Sequence, residues 1–330
     1  MNPIPFPHSS NPKPGLIGVV GLGLLGRGIV ASLLGHGYHV RVFDISPRVR
    51  VAARREITSF LADMAKRPGF RPAVVRSWKK RLTEVSGPLD MGGCDLVIES
   101  ITEDMASKRQ VYRQLESVLP SHTPIVSNTS AIPITLIQGS VKYPARFVGM
   151  HWLEPAHISE FMEIIRGRKT GRAAHTTVIR FARSLDKEPT LVNKDIRGFI
   201  ANRLYAALVR EAFYVLEQGI ADAETIDRSF RTTFGWWSLM TGPFRNLDLT
   251  GIDLAERVFK DLIPTLSNSK KVPLTLLNMM KAGRGKLGTR HGFYHYTPKE
   301  IAHWKKELDE FTWDIRAVAR KYSHMHRKSA

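Results

Sequence analysis

Val19-Val20-Gly21-Leu22-Gly23-Leu24-Leu25-Gly26 sets a G-x-G-x-x-G pattern directly behind a short apolar run and directly ahead of a helical one. Further on, His39-Val40-Arg41-Val42-Phe43 alternates like a strand and ends in Asp44. Together these segments read as a βαβ unit that binds a dinucleotide. Gly21 serves the tight turn, Gly23 lets the backbone approach a pyrophosphate, and Gly26 lets the helix pack closely on the strand. The helix opening at Leu24 and Leu25 presents free N–H groups and the positive end of its dipole to that pyrophosphate. Asp44 is placed to accept a hydrogen bond from the adenosine ribose and to repel a 2′-phosphate. NAD is therefore expected rather than NADP, with Arg48 and Arg50 just beyond as the counterweight.

The 330 residues suffice for two domains and a sizeable core. The one cysteine, Cys94, excludes an intrachain disulfide framework and suits a reducing compartment, so a cytoplasmic location is expected. Residues 1–14 are rich in proline and polar groups, lack an apolar h-region, and read as a loose tail. No apolar run is long enough to span a bilayer. The formal net charge of +19 has three readings: a nucleic-acid partner, polyanionic small molecules, or a solvated basic surface. The basic residues are spread along stretches such as Arg48–Lys66 rather than gathered in one arm or beside aromatic platforms. No specific nucleic-acid partner is expected from that distribution.

Along the chain, strands are expected at Leu16–Val20, Val40–Phe43, Cys94–Glu99, Pro124–Ser127, Arg146–Trp152 and Glu160–Ile165. Helices are expected from Leu24 to about Leu34, closed by Gly35-His36-Gly37, and over Asp104–Val118. Two charged helix-like stretches, Pro47 to about Lys66 and Pro72 to about Leu82, suggest a helical arm over about 47–85 projecting from the nucleotide domain. The alternation of β and α segments predicts an α/β Rossmann-type domain, a mostly parallel sheet with helices on both faces, over residues 15–194. From Gly198 helical periodicity takes over, with a helix opening at Phe199 and running to about Gln218, where Gly219 stops it. An all-α domain over 195–297 follows, then an additional Trp-containing helix and basic tail over 298–330. Four polar elements fall at strand ends or at the domain junction, where open α/β sheets bind ligands: Ser127-Asn128-Thr129-Ser130, His151, Glu163 and Asn202.

Taken in order, these segments resemble the L-3-hydroxyacyl-CoA dehydrogenase family, 3-hydroxybutyryl-CoA dehydrogenases included, from about Gly15 to about Tyr296. GLGLLG resembles the family's glycine loop, with Asp44 at its ribose position. DLVIESITED with Lys108 resembles D-L-V-I-E-A-x-x-E…K, which implies cofactor contacts for Glu103 and Lys108. SNTSAIPI resembles S-N-T-S-S-L-x-I and puts Asn128 beside the cofactor and Ser130 at the serine that meets substrate and nicotinamide. GMHWLEPAHISEFMEII resembles the segment that holds the family's catalytic histidine and its acidic partner, here His151 and Glu163. GFIANRL resembles G-F-x-x-N-R and adds Asn202, and TGPFRNLDLTGID resembles the family's helical domain.

The implied chemistry is physically coherent. Oxidising a secondary alcohol moves a hydride to nicotinamide and a proton to a base, and an imidazole suits the second task. A carboxylate on the other ring nitrogen fixes the tautomer and stabilises the imidazolium. His151 and Glu163 on adjacent strands would form that couple, Ser130 would hydrogen-bond the reacting oxygen, and Asn202 would donate to the thioester carbonyl or hold the couple. Each residue also has a plain reading: a structural histidine, the solvent side of a strand, a helix N-cap, and an exposed helix position. The chain departs from the family pattern at three places. Glu154 stands where the family has asparagine near the nicotinamide. The segment GKLGTRHGFYHY is shorter than its counterpart. On the arm, Arg67 and Phe60 occupy the lysine and polar positions that meet the adenosine 3′-phosphate of coenzyme A, and Arg67 can still pair with phosphate. The expected reaction is interconversion of an L-3-hydroxyacyl-CoA and a 3-oxoacyl-CoA with NAD. The rival is a free 3-hydroxy acid of the carnitine or gulonate type, or a relative with altered catalysis. A homodimer through the helical domain is implied by the resemblance, and no metal site is expected.

Overall fold

The computed structural model describes residues 15–285 and 291–322. The tail 1–14, the middle of GKLGTRHGFYHY and the basic end after Tyr322 lie outside the described residues. The chain divides into two compact units, residues 1–200 and 201–330.

The first unit runs β1 (Leu16–Val20), α1 (Leu24–Gly35), β2 (His39–Phe43), α2 (Pro47–Met64), α3 (Pro72–Arg76), β3 (Leu82–Glu84), β4 (Leu96–Glu99), α4 (Met105–Val118), β5 (Ile125–Ser127), α5 (Ile134–Gln138), β6 (Phe147–Trp152), β7 (Phe161–Ile165), α6 (Arg172–Ser184) and β8 (Glu188–Val192). Its eight strands form one sheet in the order β3-β2-β1-β4-β5-β6-β7-β8. The strands from β3 to β6 are parallel to their neighbours, β7 runs antiparallel to β6, and β8 is parallel to β7. β4, β5 and β6 are buried along their whole length, as expected for strands covered on both faces. Cys94 is buried beside β4, and burial is the main reason its thiol is pushed up to about 11, which makes it inert near neutral pH.

The charged stretch after β2 is not a projecting arm. Ser46 caps α2 through the Val49 N–H, Pro47 follows at its first position, and Ala53, Ile57, Leu61 and Met64 bury one stripe of the helix, which packs on α1. The second half of the expected arm also differs. Helix α3 stops at Arg76, Trp78 is buried in a short 3-10 turn, and Leu82–Glu84 pairs in parallel with Val40–Val42 as the edge strand β3. Arg81 stabilises that change of direction by donating to the carbonyls of Leu34 and Val74, both 2.8 Å away.

The second unit is helical: α7 (Ala201–Glu217), α8 (Ala223–Thr232), α9 (Phe234–Trp237), α10 (Gly242–Thr250), α11 (Ile252–Leu262), α12 (Leu274–Lys281) and α13 (Pro298–Lys321). α7 begins at Ala201 rather than at Phe199, because Gly198 and Phe199 take positive φ angles of 74° and 48°. α13 opens on a capping box between Thr297 and Glu300 and buries Trp313. No helix among the described residues is long and apolar enough to cross a membrane.

Candidate active site

The carboxyl ends of β1, β2, β4 and β5 surround a cavity of about 1150 Å³. Gly21, Gly23, Leu24, Leu25, Asp44, Glu103, Asn128 and Ser130 are all on its wall. The glycine loop fits a dinucleotide on steric grounds. Gly21 has φ +100°, and a Cβ there would stand 2.3 Å from the Ser100 carbonyl oxygen. A Cβ on Gly26 would stand 2.1 Å from the Gly21 carbonyl oxygen, so the helix closes on the loop only because both residues lack one. A Cβ on Gly23 would meet nothing within 4 Å, so this glycine leaves open room at the start of α1. No side chain caps that helix end, which leaves its first N–H groups for an anion. Asp44 accepts the Leu22 N–H on one oxygen and the Ser46 N–H on the other, both at 2.8 Å. Each oxygen keeps acceptor capacity for a ribose hydroxyl.

Behind the wall lies a charged cluster that sequence reading missed. The Glu99 carboxylate ends β4 fully buried and accepts from Lys108 Nζ at 2.6 Å, Tyr112 Oη at 2.5 Å, Ser127 Oγ at 2.7 Å and the Ile101 N–H at 2.9 Å. Its desolvation is offset only because every partner is in place. The signal was present in the sequence: Lys108 and Tyr112 are one turn apart on α4 and face the acid that ends the strand. Lys108, for which the resemblance implied a cofactor contact, has no exposed surface and is not among the residues that line the cavity. Its second partner is Glu103 at 3.4 Å. Glu103 Oε1 in turn accepts the Thr129 hydroxyl and the N–H groups of Ser130 and Ala131, which sets the loop that carries Ser130. Burial pushes the Glu103 carboxyl up, but the Thr129 hydroxyl, the Ala131 N–H and Lys108 together hold it below the usual carboxylate range. The stability from these bonds is present above the unfolded-state pKa and is lost as pH falls through the folded-state value.

His151 and Glu163 are directly opposed on antiparallel β6 and β7. His151 Nδ1 lies 2.8 Å from Glu163 Oε2, and both side chains are buried. Glu163 Oε1 accepts the Ile200 N–H at 2.8 Å, so both carboxylate oxygens are held as acceptors. An ionised carboxylate at Nδ1 selects the tautomer with the proton on Nδ1 and leaves Nε2 as the acceptor. Phe199 packs on the imidazole at 5.6 Å between ring centroids, and its left-handed backbone turn is what aims the next N–H at Glu163. Such a turn costs a non-glycine residue about 1–3 kcal/mol. The helical pattern predicts this residue in the first turn of a helix, and Gly198 before it, itself at positive φ, is the sequence sign of the turn instead.

Asn128 ties the couple to the cavity by accepting the Trp152 N–H at 2.9 Å while donating to Ser100 at 3.1 Å. The connector between β6 and β7 is held by Lys187, whose ammonium donates to the carbonyls of Ala156 and Ser159 and lies over the Trp152 ring. Glu154 is exposed on this connector, before a cis peptide to Pro155, and is not among the cavity-lining residues. Asn202 occupies the first turn of α7. Arg67 is bonded to Asp63 one turn back, with contacts of 2.9–3.3 Å, and Phe60 stacks on His157 at 4.0 Å between centroids. No group of three or more metal-ligating side chains occurs among the described residues.

The double use of Glu163 yields a prediction. A glutamine there has one acceptor end and one donor end, so either the Ile200 N–H or the histidine tautomer is left wrong. We expect Glu163→Gln to lower kcat by about a hundredfold and cost about 1–3 kcal/mol of stability. Steady-state rates and thermal unfolding of the same sample measure both, and a variant with wild-type kcat would refute the pairing.

Comparison with known proteins gives matches over both units. A family model described as 3-hydroxyacyl-CoA dehydrogenase, NAD binding domain, matches residues 16–196. A second, described as 3-hydroxyacyl-CoA dehydrogenase, C-terminal domain, matches residues 198–296. The chain is 33% identical to the 5-formyl-3-hydroxy-2-methylpyridine 4-carboxylate 5-dehydrogenase of Mesorhizobium japonicum, over 86% of this chain and 91% of that one. It is 32% identical to a probable 3-hydroxybutyryl-CoA dehydrogenase of Bacillus subtilis, over 85% of this chain and 97% of that one. Among solved structures, that of a 5-formyl-3-hydroxy-2-methylpyridine 4-carboxylic acid 5-dehydrogenase, an NAD-dependent dismutase, superposes with a TM-score of 0.86 at 30% identity, covering 93% of this chain and 99% of that one.

Proposed function

The chain belongs to the 3-hydroxyacyl-CoA dehydrogenase family, an NAD-dependent oxidoreductase family, and from that premise we propose that His151 is its acid–base residue, with Glu163 as the partner. The observation that carries this reading is the 2.8 Å contact between His151 Nδ1 and a Glu163 carboxylate held on both oxygens. NAD, when bound, supplies the hydride acceptor. His151 Nε2 takes the proton of the substrate hydroxyl as the carbonyl forms, and Glu163 stabilises the resulting imidazolium. Ser130, on the cavity wall, donates to the reacting oxygen. Gly23, Leu24 and Leu25 hold the pyrophosphate and Asp44 the ribose.

The first substrate reading is an L-3-hydroxyacyl-CoA, oxidised to the 3-oxoacyl-CoA. A second reading, a free carboxylic acid bearing a hydroxyl or aldehyde, is favoured by one observation. The two positions on and just after α2 that the resemblance assigns to coenzyme A hold a phenylalanine stacked on a histidine and an arginine bonded to Asp63. The test follows NADH absorbance with acetoacetyl-CoA beside a panel of free acids that includes carnitine, gulonate and a formylpyridine carboxylate. Turnover of the thioester supports the first reading, and turnover confined to free acids transfers the assignment to the second. In the first case Arg67→Ala raises KM for the acyl-CoA several-fold and leaves KM for NADH alone; an unchanged acyl-CoA KM removes Arg67 from substrate binding.

A homodimer through the helical unit is part of the proposal. Leu204, Tyr205, Phe244 and Leu249 are exposed there, and large apolar side chains left exposed are what a partner subunit would cover. Light scattering at micromolar concentration reads the mass directly.

A further inference from the structure

At one end of the cavity the wall is built by Asp44, Ser46 and Val49, which follow β2, and by Ser86, Leu89 and Asp90, which follow β3. Asp44 marks this as the end for the adenosine ribose. A 2′-phosphate there would bring additional negative charge and strong acceptor oxygens, and a guanidinium is the side chain best suited to receive them. Beside this end, although not itself among the residues that line the cavity, the chain has an arginine. Arg50 stands one turn into α2, and its Nη1 donates to the Asp44 carbonyl oxygen at 2.6 Å. Its Nε lies 2.7 Å from Glu84 Oε1. Glu84 is the last residue of β3, paired across from Val42.

We propose that Glu84 is a determinant of dinucleotide specificity: it neutralises Arg50 and holds its guanidinium against the backbone of Asp44, so that this cation is not free to receive a 2′-phosphate. Two carboxylates then discriminate by different means. Asp44 repels the phosphate directly, and Glu84 withholds the cation that would offset the repulsion. This assignment rests on the dinucleotide site, not on the identity of the substrate or the role of His151. It also gives a purpose to the short edge strand, whose pairing with β2 is what brings Glu84 to Arg50.

The test is direct binding of NADH and NADPH, read from the change in nicotinamide fluorescence on titration with the full chain. Glu84 is 46% exposed, so its substitution is compatible with folding. For Glu84→Gln the dissociation constant for NADPH is expected to fall about three- to tenfold, while that for NADH stays within about twofold. The double variant Asp44→Ser/Glu84→Gln is expected to bind NADPH more tightly than the product of the single effects predicts, because the freed guanidinium and the lost repulsion act on one phosphate. Adding Arg50→Gln to Glu84→Gln should abolish the gain. An unchanged NADPH constant in Glu84→Gln, an equal shift for both dinucleotides, or a gain that survives Arg50→Gln would each overturn the proposal. NADH binding by the parent chain is the internal control: its loss would count against the dinucleotide site itself rather than against Glu84.

Discussion

Replacing His151 with alanine is expected to lower kcat by about a thousandfold while leaving NADH affinity within about twofold. The side chain is buried between Phe161 and Phe199 and bonded to Glu163, and it is not on the wall of the dinucleotide cavity. Its loss therefore removes the proposed proton acceptor without touching the glycine loop. The substitution also leaves Glu163 Oε2 without its imidazole partner in a buried site, so some loss of stability accompanies the loss of rate. Stopped-flow single turnover with preloaded NADH separates chemistry from release. A variant that kept more than about a tenth of the wild-type rate would remove His151 from the reaction.

Gly26→Ala carries the second large effect. The added methyl group would sit 2.1 Å from the Gly21 carbonyl oxygen, and the loop has no room to yield. Gly21 is itself pressed against Ser100, and its N–H is bonded to the Phe43 carbonyl at 2.8 Å. The start of α1 must then move by about an ångström. A displacement of that size at a binding site costs on the order of a hundredfold, and overpacking adds about 1–3 kcal/mol of destabilisation. NADH affinity should fall accordingly while thermal unfolding remains cooperative. Unaltered NADH affinity would mean that the dinucleotide does not depend on this loop.

These two sites were the most legible parts of the sequence, for different reasons. The glycine loop was legible because three glycines at fixed spacing have few other uses beside a strand that ends in an acid. His151 and Glu163 were named from a resemblance, and the antiparallel register of β6 and β7 sets them face to face. Other features left weaker traces. β3 is three residues long and lies inside a charged stretch, too short for periodicity to register. β8 was not read at all: Pro189 argues against a strand by composition, and the structure places it at the sheet edge, where proline is tolerated. The turn at Phe199 was hidden by the helical pattern that follows it. The Glu99 cluster left only the one-turn spacing of Lys108 and Tyr112, because an acid, a lysine and a tyrosine look like ordinary surface residues until tertiary pairing brings them together.

The antiparallel step from β6 to β7 puts the proposed couple on one continuous stretch of chain. In a parallel pair, neighbouring residues are separated by a whole crossover; here His151 and Glu163 belong to one hairpin, joined by a connector that Lys187 clasps. The couple can thus be passed on as a single continuous segment. It is also fragile in a particular way. A strand has a side-chain period of two, so one inserted codon between Phe161 and Glu163 would turn the carboxylate to the other face while the sheet still formed. Such a chain would keep both residue types and the cofactor cavity yet have no working couple. On the proposed roles, the position of the glutamate on its strand, opposite the histidine, would be a sharper mark of a working couple than the presence of either residue.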